Sequence, residues 1–163
     1  MSDEHSNNAL QPCTSRLLVE AFQSKELFSE VMNALNDIVS QIPGMGLVTE
    51  LGVQLGNLRS QFLAVKMIRF LSQCEDLNAA QRSTLWSNLA QSRSDENIGM
   101  ILLGHLDRAE SDQHATLIGR LACLRSKDDI RDTEFWQLSH AISVLPMYAV
   151  NSIKRSQNSM TLK

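Results

Sequence analysis

Apolar residues recur at three- and four-residue steps along most of this sequence, and this spacing constrains the fold more than any other feature. Leu51, Leu55, Leu58 and Phe62 illustrate the pattern, which is the period of an α-helix with one buried face. No segment keeps the alternation of a β-strand, and β-branched residues are sparse. We therefore expect an all-α fold, a single compact bundle of about six helices.

Proline, glycine and capping residues predict where the helices begin and end. A first long helix should run from Thr14 or Ser15 to about Gln41, because Ile42 precedes Pro43 and pre-proline residues avoid the helical conformation. A second long helix over about 47–73 should form the centre of the bundle. Four shorter helices should follow, at about 79–91 behind an Asn78–Gln81 capping box, at about 95–109 behind Ser94, at about 112–125 behind Ser111, and from Thr133 behind Asp132.

The chain of 163 residues has the length of one domain. Residues 1–12 are polar and end at Pro12, so we expect a flexible N-terminal arm. Residues 13–153 should form a single helical domain, and residues 154–163 a flexible C-terminal tail.

The net charge of −3 argues against a dedicated nucleic-acid-binding protein, because phosphate neutralisation requires a basic excess. Arg120, Arg125, Lys127 and Arg131 form the one basic cluster, but acidic residues lie among them. We interpret this cluster as a solvated turn of mixed charge. Nucleic acid is therefore an unlikely partner.

Three widely spaced cysteines, Cys13, Cys74 and Cys123, show neither CxxC spacing nor a histidine at zinc-finger distance. We expect no metal site and no cofactor. The polar N-terminus lacks the features of a signal peptide, so reduced thiols in a cytoplasm are expected.

Gly52 and Gly56 have GxxxG spacing, which lets another backbone approach closely. We predict a self-association interface and name it the GxxxG face; its residues are Leu51, Gly52, Leu55, Gly56 and Arg59. The alternative is tight packing within one molecule, which is the commoner cause of such spacing. A second alternative is peripheral membrane binding through residues 42–65 or 141–155.

Arg108 and His114 resemble the active-site pair of HEPN-type ribonucleases, which are also small helical proteins. The resemblance implies that His114 acts as an acid or base and that Arg108 stabilises phosphate charge. The five intervening residues include an expected helix end and two acidic side chains, which oppose a phosphate. The ribonuclease is therefore an alternative to the main prediction.

Several segments resemble an uncharacterised family of small all-helical bacterial proteins. They include Ile42-Pro43-Gly44, the run 66–71, the run 101–108 and the run 130–135. The resemblance covers about residues 40–150. It implies a bacterial or mobile-element origin and a role in phage–host conflict, and it carries over no catalytic residue.

The function expected from the sequence is that of a non-enzymatic interaction or regulatory protein that self-associates. Apolar stripes are strong in this sequence, whereas polar constellations are weak. The expected partner is a protein, either another chain or a second copy.

Overall fold

A computed structural model describes residues 17–40, 58–90 and 95–152, and these residues fold into helices joined by short turns. No strand occurs in these three ranges, so the prediction of an all-α fold is confirmed. The predicted arm at 1–12, the Pro43-Gly44 turn, Ser94 and the tail at 154–163 lie outside the described residues. The same holds for the first part of the predicted 47–73 helix.

The described residues include six longer helices, which we number in chain order. They are α1 (Lys25–Ser40), α2 (Leu58–Gln73), α3 (Ala79–Ala90), α4 (Asp95–Arg108), α5 (Asp112–Ser126) and α6 (Asp132–Val144). Residues 17–21 and 147–152 are also helical.

The structure divides the first predicted helix into two. Residues 17–21 are helical, the chain turns at Phe22 and Gln23, and α1 begins at Lys25. Ser24 provides the reason, because its Oγ accepts the backbone N–H of Leu27 at 3.1 Å and thereby caps a new helix. The turn also stacks the ring of Phe22 on Trp86 of α3, at 5.3 Å between centroids.

The capping box at the start of α3 is confirmed. The side-chain oxygen of Asn78 accepts the N–H of Gln81 at 2.9 Å, and the side-chain oxygen of Gln81 accepts the N–H of Asn78 at 3.0 Å. Two backbone donors at this helix start are thus satisfied reciprocally.

The prediction that Asp132 caps the last helix was wrong by one residue. Arg131 is the N-cap, and the carboxylate of Glu134 accepts its backbone N–H at 2.7 Å. Asp132 is instead the first helical residue, which places its carboxylate within reach of Arg125. The helix ends at Val144, two residues before Pro146. This end is expected, because proline lacks the backbone N–H that would continue the helical hydrogen bonds.

The core lies around α2 and α5, which make the most extensive contact of any two helices described. Gly119 of α5 allows this contact, since a Cβ there would lie 2.6 Å from the backbone oxygen of Phe70 on α2. Helix α2 also packs against α1 and α4, in agreement with the predicted central position. The largest fully buried side chains are Leu18, Leu35, Met67, Phe70, Leu71, Leu85, Ile98, Leu102, Leu106, His114, Ile118 and Phe135.

Candidate functional site

An open groove runs along one face of α4 and has a volume of about 480 Å³. The residues that line the groove are three, four or seven positions apart, which is the spacing of residues on one face of a helix. The groove is lined by Asn97, Met100, Ile101, Gly104, His105 and Arg108. It places the apolar side chains of Met100 and Ile101 beside polar residues, with the cation of Arg108 at the C-terminal end of the helix.

His105 is the most enclosed polar residue of this groove, with 7% of its surface exposed. Its ring lies edge-on to Trp136 of α6 at 5.9 Å and tilted against His140 at 5.7 Å, between centroids. Burial lowers the pKa of His105 to about 4, and the charges of His140 and Arg108 act in the same direction. His105 is therefore uncharged at neutral pH.

The groove presents one cation beside apolar side chains. The exposed guanidinium of Arg108 can pair with an anionic group, and Met100 and Ile101 offer apolar contact beside it. A base with a pKa near 4 accepts protons poorly at neutral pH, so His105 is badly matched to acid–base catalysis. The Nδ1 atom of His105 is also enclosed and has no hydrogen-bond partner among the described residues.

His114, the second residue of the ribonuclease alternative, is fully buried. Its Nε2 lies 2.9 Å from the carbonyl oxygen of Leu145, and its Nδ1 lies 2.9 Å from the hydroxyl of Ser111. Arg108, in contrast, is exposed at the groove. The ribonuclease stays a prediction, and the enclosure of His114 weighs against it, because both ring nitrogens are engaged within the protein.

The GxxxG face falls largely outside the described residues. This holds for Leu51, Gly52, Leu55 and Gly56, while Arg59 lies in the first turn of α2. The next position on the same face of a continuous helix is Phe62, which is 65% exposed. Its near neighbours Ala64 and Met67 are buried, so Phe62 lies on the side of α2 that faces away from the core.

The basic cluster is not a uniformly solvated turn, because Arg125 is buried. Its guanidinium pairs with the carboxylate of Asp128, within the turn between α5 and α6, and with that of Asp132, the first residue of α6. Asp128 adopts a positive φ of 60°, a conformation that Asp tolerates better than most residues. Arg125 therefore organises this turn, while Arg120, Lys127 and Arg131 remain exposed.

Among the described residues, no group of three or more His, Cys, Asp or Glu side chains could hold a metal ion. In the same part of the chain, no helix has the length and apolar character needed to cross a bilayer. Residues 141–152 of the predicted membrane-binding segment are described, and Tyr148 is exposed there. That alternative stays a prediction.

Sequence reasoning missed the contact between His105 and His140. Each helix carries a local signal, since His105 and Arg108 are three apart and Trp136 and His140 are four apart. These spacings place each pair on one helix face, but they do not indicate that α4 and α6 are neighbours.

The chain matches no protein-family model, and searches of curated proteins and of solved structures find no significant match either. The resemblance to a family of small helical bacterial proteins accordingly stays a prediction.

Proposed function

We propose that this chain is a non-enzymatic helical interaction protein that self-associates through the GxxxG face and its continuation at Phe62. The observation that carries the proposal is the 65% exposure of Phe62 on the side of α2 opposite the core. Exposing an aromatic ring to water is unfavourable, and burying it against a partner recovers that free energy. Cytoplasmic location remains part of this proposal.

Further support comes from α6, which buries Phe135 in the core but also leaves large apolar side chains exposed. Ser139 and Ser143 are buried on this helix, while Leu138 and Val144 are exposed. Single exposed apolar residues are ordinary, whereas large apolar residues outside and small polar ones inside are the informative combination. Leu138 and Val144 thus offer apolar surface to a partner.

The face around Phe62 is open to a second copy. One turn along α2, the ammonium of Lys66 donates to the backbone oxygen of Asp107 at the end of α4, at 3.1 Å. The end of α4 therefore lies against α2 at Lys66, and the exposed Phe62 lies one turn nearer the N-terminal end of α2. The GxxxG face occupies the sequence directly before it, and its glycines favour close approach of another helix.

The test is the mass of the purified protein in solution, measured by light scattering and sedimentation over a concentration series. We expect a dimer or larger assembly for the wild type. Phe62→Ser should weaken association by at least about tenfold, because buried aromatic anchors dominate most interfaces. Gly52→Leu should have a similar effect, because a bulky side chain keeps two backbones apart.

Leu124→Ser is the matched control, since Leu124 is another exposed apolar residue but lies on α5. It should leave the assembly unchanged. A wild-type protein that stays monomeric at roughly 100 µM, where even weak specific association is detectable, would overturn the proposal. Equal effects of Phe62→Ser and Leu124→Ser would place the interface elsewhere.

A further inference from the structure

Two thiols meet where α2 and α5 cross. Cys74, directly after the last residue of α2, is fully buried, and Cys123 of α5 is half-buried. Each thiol shifts the pKa of the other, which places the two side chains within interaction distance. The Sγ of Cys123 also lies 2.8 Å from the backbone oxygen of Gln73. The two cysteines are 49 positions apart in the sequence, but the Sγ of Cys123 lies beside the backbone of the residue that precedes Cys74.

The close crossing of the two helices accounts for this contact. Gly119 lies four residues before Cys123, on the same face of α5, and has no side chain to separate the helices. A Cβ on Gly119 would lie 2.6 Å from the oxygen of Phe70 and 2.9 Å from the Cβ of Gln73. The packed core therefore holds the two thiols near one another, on helices that cross closely.

A buried cation lies close to this pair. Arg82 of α3 is 2% exposed, donates one N–H to the backbone oxygen of Glu75 at 2.8 Å, and packs over the ring of Phe28. Its Nε and Nη1 atoms find no hydrogen-bond partner among the described residues. Its charge lowers the pKa of Cys74, against larger opposing effects. A buried guanidinium without a carboxylate is stabilised by negative charge developing nearby, such as that of a thiolate.

The surroundings of the two sulfurs assign them different roles. The hydrogen bond from Cys74, aided by Lys127, lowers the pKa of Cys123 to about 7. The same hydrogen bond, together with burial, raises the pKa of Cys74. The oxygen of Gln73 accepts the proton of the Cys123 thiol, whereas Cys74 donates to the Cys123 thiolate. Cys123 is thus the more accessible and more readily ionised nucleophile, and Cys74 is the enclosed second thiol.

We propose that Cys74 and Cys123 form a redox site that a hydroperoxide converts into an intramolecular disulfide bond. The Cys123 thiolate attacks the peroxide, so that an S–O bond forms, the O–O bond breaks, and the departing oxygen takes up a proton. Cys74 then attacks the resulting sulfenic acid sulfur, forming the S–S bond and releasing water with the proton that Cys74 loses. The two thiols lose two electrons in total, and the peroxide gains these two electrons.

The test uses the full-length, reduced protein and hydrogen peroxide. Free thiols are counted with a chromogenic disulfide reagent before and after treatment, and the remainder is alkylated for peptide mass spectrometry. The chain has three cysteines, so the expected count falls from three to one, with a Cys74–Cys123 cross-linked peptide and an alkylated Cys13. Reduction with dithiothreitol should restore all three.

Three variants separate this site from nonspecific oxidation. Cys13→Ser should still lose two thiols, and Cys123→Ser should lose none to an intramolecular bond. Cys74→Ala should trap Cys123 as a sulfenic acid that dimedone labels. If Cys74→Ala does not fold, wild type and Cys123→Ser still decide the question. The proposal would be overturned if the treated wild type kept all three thiols. It would also be overturned if Cys123 were oxidised to the sulfinic acid without any cross-link to Cys74.

Discussion

His114 of α5 joins the end of α6 to the start of its own helix. Its Nε2 lies 2.9 Å from the carbonyl oxygen of Leu145, the residue directly after α6. A carbonyl oxygen only accepts hydrogen bonds, so Nε2 must carry the proton, and in the neutral ring Nδ1 then accepts from the Ser111 hydroxyl. Ser111 is the N-cap residue of α5, and its hydroxyl serves this ring instead of capping the helix.

Replacing His114 should therefore destabilise the protein rather than remove an activity. His114→Ala leaves a void in the core and leaves the Leu145 carbonyl without its partner, so we expect a loss of about 2–4 kcal/mol in the free energy of unfolding. Urea denaturation followed by circular dichroism measures this loss. Arg108→Ala is the control and should leave the midpoint unchanged, because Arg108 is exposed. A fully stable His114→Ala protein that had lost cleavage of RNA would restore the ribonuclease alternative.

Two glycines on consecutive helices of the chain should respond oppositely to alanine. At Gly119 the new Cβ would lie 2.6 Å from the backbone oxygen of Phe70, so Gly119→Ala should cost about 1–3 kcal/mol by forcing α2 and α5 apart. At Gly104 nothing lies within 4 Å of the new Cβ, so Gly104→Ala should stabilise the protein by about 0.5–1 kcal/mol through helix propensity. Thermal unfolding of the two variants measures both effects. Similar midpoints for the pair would contradict the close crossing of α2 and α5.

Helix boundaries were predictable where one short motif decided them. The Asn78–Gln81 box is complete within four residues, and the structure contains both of its hydrogen bonds. The break at Phe22 and Gln23 was missed because Ser24 sits in a run whose apolar spacing also suits a continuous helix. The packing of Phe22 on Trp86, which belongs to another helix, favours the break together with the Ser24 cap, and local apolar spacing does not report that packing.

The polar contacts of the candidate site could not be predicted for a different reason. Arg108 was paired with His114 because the two are close in sequence, but the structure encloses His114 and places Arg108 on the groove with His105. Contacts between helices depend on which helices become neighbours, and apolar periodicity reports only that a helix has a buried face. The same limit applies to Cys74 and Cys123.

The buried ion pairs of Arg125 give a third stability prediction. Arg125→Met removes the guanidinium that joins Asp128 to Asp132, and leaves two carboxylates close together in a tight turn. We expect the free energy of unfolding to fall by about 2 kcal/mol. The loss is smaller than for a fully buried ion pair, because Asp128 is exposed. Arg120→Met is the matched control, since Arg120 is exposed on the same helix. Denaturant midpoints that fall equally for both would show that Arg125 has no special role.

His105 should make the protein less stable as the pH falls. Its pKa is lowered from 6.5 to about 4 in the folded state, so between these values the unfolded chain binds more protons than the folded chain. Stability is therefore complete above about pH 6.5 and declines toward pH 4. Between pH 7.5 and pH 5 the pKa shift of His105 lowers the free energy of unfolding by at most about 2 kcal/mol. Because solvent in the open groove screens the charge, we expect a loss of about 1 kcal/mol.

Urea denaturation at pH 7.5 and at pH 5, performed on wild type and on His105→Phe, isolates this contribution from that of other groups. The phenylalanine variant keeps an aromatic ring against Trp136 but cannot titrate, so its loss of stability between the two pH values should be smaller. His140→Gln should shrink the loss in the same way, because the charge of His140 helps to lower the pKa of His105. If wild type and His105→Phe lose the same stability between pH 7.5 and 5, the prediction is contradicted. The ring of His105 is then protonated as readily in the folded protein as in the unfolded chain, and solvent reaches it more freely than its packing indicates.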